Sequence, residues 1–112
     1  MQVTETNALL LTLALEGPVV GLCSTYWRVP PRRAIWAWLL SSCATHPVAW
    51  HVASTLDGRS YAVGWWCIEL AVTVVESLIF VLIMRISVTR GALLSLLANG
   101  FSAAVGLLLA DF

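Results

Sequence analysis

Apolar residues along this chain gather into four runs, at 8–27, 34–53, 63–84 and 91–110, each closed by a short polar connection. The third run, VGWWCIELAVTVVESLIFVLIM, has 22 residues, no Pro, Arg or Lys, and two carboxylates, Glu69 and Glu76. At a rise of about 1.5 Å per residue it spans ~33 Å, enough to cross the hydrocarbon core of a bilayer. The other three runs have 20 residues each. The pattern therefore predicts an all-α membrane protein, one domain over 1–112 with four transmembrane helices. Pro18 and Pro47 fall inside the first and second runs. Neighbouring helices can satisfy the backbone groups that a Pro frees in a membrane, so these are expected to kink helices rather than end them. The connections are RVPPRR (28–33), STLDGRSYA (54–62), with Asp57-Gly58 as a turn, and RISVTR (85–90). Such short links make consecutive helices antiparallel neighbours, giving two antiparallel hairpins.

Composition agrees with the pattern. Of 112 residues, 60% are hydrophobic and 11% charged, which places the chain among integral membrane proteins. The net charge is zero and every basic residue is Arg, so no basic patch points to nucleic acid. The N-terminal segment has an acid and no base, unlike a cleaved signal peptide, so the first run is expected to remain in the mature chain. Cys23, Cys43 and Cys67 lie in apolar runs without CxxC spacing and read as small hydrophobes.

Charge also suggests an orientation. Arg28, Arg32, Arg33, Arg85 and Arg90 fall in connections 28–33 and 85–90; Arg59 alone lies on the opposite side, beside Asp57. The positive-inside rule puts the Arg-rich connections in the cytoplasm and both termini, acidic or neutral (Glu5, Asp111), outside. Tyr26, Trp27, Trp36 and Trp38 then form one interfacial belt, and Trp50, Tyr61, Trp65 and Trp66 the other.

Ionisable residues within these runs are the candidate chemistry. Glu69 and Glu76 are seven apart and share a helix face. From the cytoplasmic ends, Glu16 lies ~16 Å deep, Glu76 ~12 Å, His46 ~18 Å and Glu69 ~22 Å. Two clusters are expected on this basis: Glu16 with Thr45 and His46, and Glu76 with Asn99 and Ser102. A Glu at such depth is either neutral or paired. Used only to join helices, such groups contribute ~0.6 kcal/mol on average, which makes three of them poor glue and a functional site the default reading. His46 could also serve as axial ligand to a haem or chlorophyll-type pigment. His51, further out, reads as interfacial. No ExxH or HxxxH pattern suggests a metal centre, and no nucleophile, phosphate-loop or nucleotide motif suggests an enzyme. On helix 4, Ala98, Ser102 and Gly106 form a small-residue stripe that permits close packing.

The two halves also resemble each other. RAIWAWLLSSCATHP (33–47) aligns with RGALLSLLANGFSAA (90–104), matching Arg33 with Arg90, Leu39 with Leu96, Leu40 with Leu97, Ser42 with Asn99 and Thr45 with Ser102. Upstream, Leu15-Glu16-Gly17 matches Val75-Glu76-Ser77. A duplicated two-helix unit keeps its orientation, so this would be a parallel repeat about an axis along the membrane normal.

The pattern Glu16, Thr45-His46-Pro47, Glu76, Ala98-Asn99, Ser102, Gly106 resembles small uncharacterised bacterial four-helix membrane proteins, a resemblance that covers nearly the whole chain. It implies a bacterial inner-membrane location and no particular activity. A chain of this length with four helices and a Glu in the first is also similar to the small multidrug resistance transporters. In that family this Glu exchanges protons for cationic drugs within an antiparallel dimer, a role that would fall to Glu16. The sequence departs from the family in Glu69, Glu76, Pro18 and His46-Pro47, and in an Arg bias that sets one orientation, whereas dual-topology dimers need a weak one.

Three functional expectations follow. The first is a non-enzymatic subunit packed, with lipids, in a larger membrane complex or oligomer, its Glu and His groups making helix contacts or lining a polar path. The second is a proton-coupled small transporter or channel component using Glu16 and Glu76. The third is a pigment- or haem-binding subunit through His46.

Overall fold

The computed structural model describes residues 4–59 and 61–110, with only the helical backbone of Gly106, Leu107, Leu109 and Ala110. Asp111, Ser60, the first three residues and the surroundings of Gly106 in the small-residue stripe lie outside the described residues. Four helices follow in order: α1 (Glu5–Tyr26), α2 (Pro31–Ala53), α3 (Tyr61–Met84) and α4 (Val88–Ala110). Each begins two or three residues before its apolar run, because helix starts are polar or proline-rich. Thr4 caps α1, its hydroxyl accepting from the Asn7 amide at 3.1 Å. Pro31 occupies the first position of α2, where a missing N–H is harmless. Ser87 accepts the Arg90 amide at 3.1 Å ahead of α4. Pro18 and Pro47 sit inside continuous helices.

Helices α1, α3 and α4 (Val88–Val105) are long and apolar enough to cross a membrane. Helix α2 has the length, 23 residues, but Arg32, Arg33 and the polar stretch from Ser41 to His46 dilute its apolar character. The molecule measures 43 × 25 × 19 Å, so its long axis exceeds the ~30 Å hydrocarbon core of a bilayer.

The first turn closes by a Schellman motif. The Arg28 amide donates to Thr25 O (3.2 Å) and the Val29 amide to Ser24 O (2.8 Å), while Arg28 adopts φ 59°. Arg85 adopts φ 56° in the turn between α3 and α4. That left-handed position normally favours Gly, and both turns place Arg there instead. The Arg90 guanidinium lies over the Trp27 ring, 5.6 Å from its centroid, tying the start of α4 to the end of α1.

Around the bundle α1 packs on α2, α2 on α3, α3 on α4 and α4 on α1. The distribution of polarity is inverted relative to a water-soluble bundle. Leu22, Leu70, Leu78, Leu82, Val63 and Leu96 are exposed on the outside. Glu16, Ser24, Ser41, Ser42, Thr45, Glu76, Ser95 and Asn99 are buried, alongside Val20, Ala34, Ala37, Phe80, Met84, Leu94 and Ala98. Apolar side chains outside and hydrogen-bonding groups inside suit a hydrocarbon solvent, which can satisfy no polar group. Trp38 belongs to the packing: its indole N–H donates to Leu13 O at 3.0 Å, and its ring lies 3.2 Å from where a Cβ at Gly17 would stand. Gly91 is buried where α4 meets α3; a Cβ there would collide with Val81 Cγ2 and lie 3.0 Å from Ser77 O.

Candidate functional site: a buried carboxyl pair

Glu16 and Glu76 come from helices on opposite corners of the bundle and are both buried in its interior. Each is almost wholly buried, at 1% and 2% exposure, and the two interact electrostatically. They belong to the inward stripes of their helices, Glu16–Val20–Ser24 on α1 and Glu76–Phe80–Met84 on α3, spaced one helical turn apart. Helix α2 runs between them and supplies one hydroxyl to each. Ser42 Oγ donates to Glu16 Oε2 at 2.8 Å, and Thr45 Oγ1 to Glu76 Oε1 at 3.0 Å. Ser42 and Thr45 are three apart, so both face the core. Thr45 Oγ1 also bonds Ser41 O at 2.8 Å, which holds its rotamer.

Each carboxyl keeps one oxygen without a hydrogen-bond partner, Oε1 of Glu16 and Oε2 of Glu76. Beside them on α4 stand Ser102, next to Glu16, and Asn99, next to Glu76. Both α4 residues bond their own helix. Asn99 Nδ2 donates to Ser95 O (3.0 Å) and Ser95 Oγ (3.1 Å), and Ser102 Oγ to Asn99 O (3.3 Å). Ser95 Oγ in turn donates to Thr73 O on α3 at 2.6 Å. Every Arg lies in a turn, a loop or the first turn of a helix, so no basic side chain is placed to neutralise the pair.

The remaining expected residues lie around this centre. Glu69 is half-buried and within electrostatic reach of both carboxyls. His46 is half-buried; its Nδ1 is 3.5 Å from Thr12 Oγ1 and its Nε2 has no partner. His46 thus pairs with α1 at Thr12 rather than at Glu16. Thr45 bonds Glu76 rather than Glu16, so the two expected clusters are joined into one by α2. Ser42, which bonds Glu16, was not expected in the cluster. The signal for it was available: Ser42 lies three before Thr45, on the same helix face. Ser95 and Thr12 had no such signal, since isolated hydroxyls in apolar helices usually bond their own backbone.

Among the described residues no group of three or more His, Cys, Asp or Glu could hold a metal ion. What the arrangement offers is two carboxyls, an alcohol donor for each and two unused acceptor oxygens in a core without basic groups. No protein-family model matches this chain, and neither a curated protein nor a solved structure does.

Proposed function

We propose that this is a small integral membrane protein that carries protons as part of a transport process, with Glu16 and Glu76 as the proton-binding pair. The observation that carries the reading is the burial of two carboxyls from opposite helices, each bonded to a hydroxyl of α2 and each with an unpartnered oxygen. Intramembrane carboxyls are costly, and hydrogen bonding alone returns little for them. Glu16 and Glu76 lie inside the bundle rather than on its outer face, which favours this reading over that of a packing subunit in a larger complex. The Arg distribution supports both termini outside and connections 28–33 and 85–90 in the cytoplasm.

The test is proton flux in vesicles holding the purified protein and a pH-sensitive dye, under an imposed potassium-valinomycin potential. Wild type should acidify or alkalinise the lumen faster than protein-free vesicles. Glu16→Gln and Glu76→Gln should each fall to the protein-free rate while eluting from size exclusion like wild type. A wild type indistinguishable from empty vesicles, or variants that match wild type, would sink the reading.

The same reading includes a tandem repeat of a two-helix hairpin, and several independent features support it. The buried positions of α1, Glu16, Val20 and Ser24, recur sixty residues on as those of α3, Glu76, Phe80 and Met84. Ala34, Ala37, Ser41 and Ser42 of α2 recur 57 residues on as Gly91, Leu94, Ala98 and Asn99 of α4, all buried. The left-handed Arg28 and Arg85 keep that second spacing. Trp38 bonding Leu13 O corresponds to Ser95 bonding Thr73 O. The first hairpin has three extra residues between Ser24 and Arg28, in its wider turn.

A further inference from the structure

We infer that the carboxyl pair opens to water at one end of the bundle only, the end that carries Glu5 and the connection between α2 and α3, and that Glu69 stands in the opening. The inference rests on the proton-carrying role proposed above and names the side from which protons reach the pair. Its basis is uneven packing along the bundle. On the side of the Arg28 and Arg85 turns the interior is closed. Val20, Ala34, Ala37, Phe80, Met84 and Leu94 form one buried apolar cluster there. Burial continues to the last turn of α1 at Ser24 and of α3 at Met84. The hydroxyls of Ser24 and Ser41 donate to carbonyls of their own helices, Gly21 O and Trp38 O, so this segment offers water few partners.

Beyond the pair, toward the other end, the packing loosens. Among the described residues none of 5–15 in α1, 46–53 in α2, 61–75 in α3 or 100–105 in α4 is buried. These stretches are long: at about 1.5 Å per residue, α1 runs ~16 Å from Glu16 to Glu5 and α3 ~22 Å from Glu76 to Tyr61. The inward stripes continue along them. Thr12 is one turn from Glu16 and Glu69 two turns from Glu76, on the same faces, yet both are only half-buried. His46, Thr73 and Ser102 are half-buried at this end as well, so it is polar as well as loose. A cleft of about 400 Å³ lies between α2 and α3 here, passing Val52, Val48, Ile68 and Ala71 and reaching Thr45, whose hydroxyl bonds Glu76. The cleft on the closed side, about 220 Å³ between α1 and α2, is walled by Gly17, Val20, Ala34 and Trp38 and has no hydroxyl on its walls. Water that enters past Glu69 has His46 Nε2 and the two unpartnered carboxyl oxygens to bond. From the opposite side it meets close-packed apolar side chains. Protons therefore exchange with the pair from the end of Glu69.

The experiment is thiol labelling of the full chain in membrane vesicles of both orientations. The probe is a charged, membrane-impermeant methanethiosulfonate, and the background lacks Cys23, Cys43 and Cys67. Thr12→Cys, Glu69→Cys and Thr73→Cys are made separately, and any of them that elutes from size exclusion like wild type serves. Each should react from the side that labels Gly58→Cys, about tenfold faster or more than Ala37→Cys reacts from either side, because only a water-exposed thiol ionises to the reactive thiolate. Leu70→Cys stands at the height of Glu69 on the outer surface of the bundle and should be as slow as Ala37→Cys. The one-sided opening is overturned by Thr12→Cys and Glu69→Cys reacting as slowly as Ala37→Cys, by Leu70→Cys reacting as fast as Glu69→Cys, or by fast labelling of Ala37→Cys from the side of the Arg turns. None of these outcomes touches the proton flux measured in vesicles, so the role of the pair would survive them. Fast one-sided labelling in a protein that moves no protons would keep the opening and remove that role.

Discussion

At the scale of single residues, the proposed role makes Glu16 and Glu76 proton carriers rather than stabilising groups. Replacing a buried, incompletely bonded polar pair by apolar side chains of similar size is often neutral or stabilising by ~1–4 kcal/mol. The double variant Glu16→Leu/Glu76→Leu should therefore unfold at an equal or higher temperature than wild type in detergent while moving no protons. A clear drop in its unfolding midpoint would mean that the carboxyls are structural. Ser42 gives the opposite expectation. Ser42→Ala removes the one hydrogen bond Glu16 makes at 2.8 Å and leaves a buried carboxyl without that donor. This should cost about 1–3 kcal/mol, read from equilibrium unfolding, with Ser42→Thr closer to wild type than Ser42→Ala.

At the scale of elements, two features of the turns and contacts decide how the helices meet. Gly91 has no room for a side chain against Val81 and the Ser77 carbonyl, whereas Gly100 has open space around it. Gly91→Leu should destabilise the α3–α4 contact by about 1–3 kcal/mol, while Gly100→Ala should change stability by no more than ~0.5 kcal/mol. Comparable losses at both sites would mean that α4 does not approach α3 as described. The left-handed Arg28 and Arg85 make a second case. A non-glycine residue in that conformation costs roughly 1–2 kcal/mol, so Arg28→Gly should raise the unfolding midpoint. It also removes a positive charge from the turn.

Orientation belongs to the whole molecule. Single Cys residues at Ser87 and Gly58, in a background lacking Cys23, Cys43 and Cys67, should label from opposite faces of an intact inner membrane, Gly58→Cys from outside and Ser87→Cys only after permeabilisation. Labelling of both from outside would overturn the proposed orientation. At this scale the sequence was already informative about class. Runs long enough to span a bilayer, polar breaks and the scarcity of charge make helices and a membrane the physical outcome of local composition, because helix hydrogen bonds close within a segment. The four helices appear where the runs lie, shifted only at their capped starts. Rise per residue also converts a position in a helix into an expected height.

Depth, however, says nothing about azimuth around a helix or which neighbour a side chain meets. Thr45 could be placed at the height of Glu16 from sequence, yet it bonds Glu76, because α2 lies between α1 and α3 and turns Ser42 to one and Thr45 to the other. His46, adjacent to Thr45 in the chain, is rotated by about 100° on the helix and meets Thr12 instead. Sequence alone thus determined that the chain is a set of membrane-length helices with carboxyls and amide groups in their middles, a consequence of composition and periodicity. Only the tertiary structure decided that these groups form one centre with two unpartnered oxygens, because that depends on the order of helices around the bundle and the rotation of each about its axis.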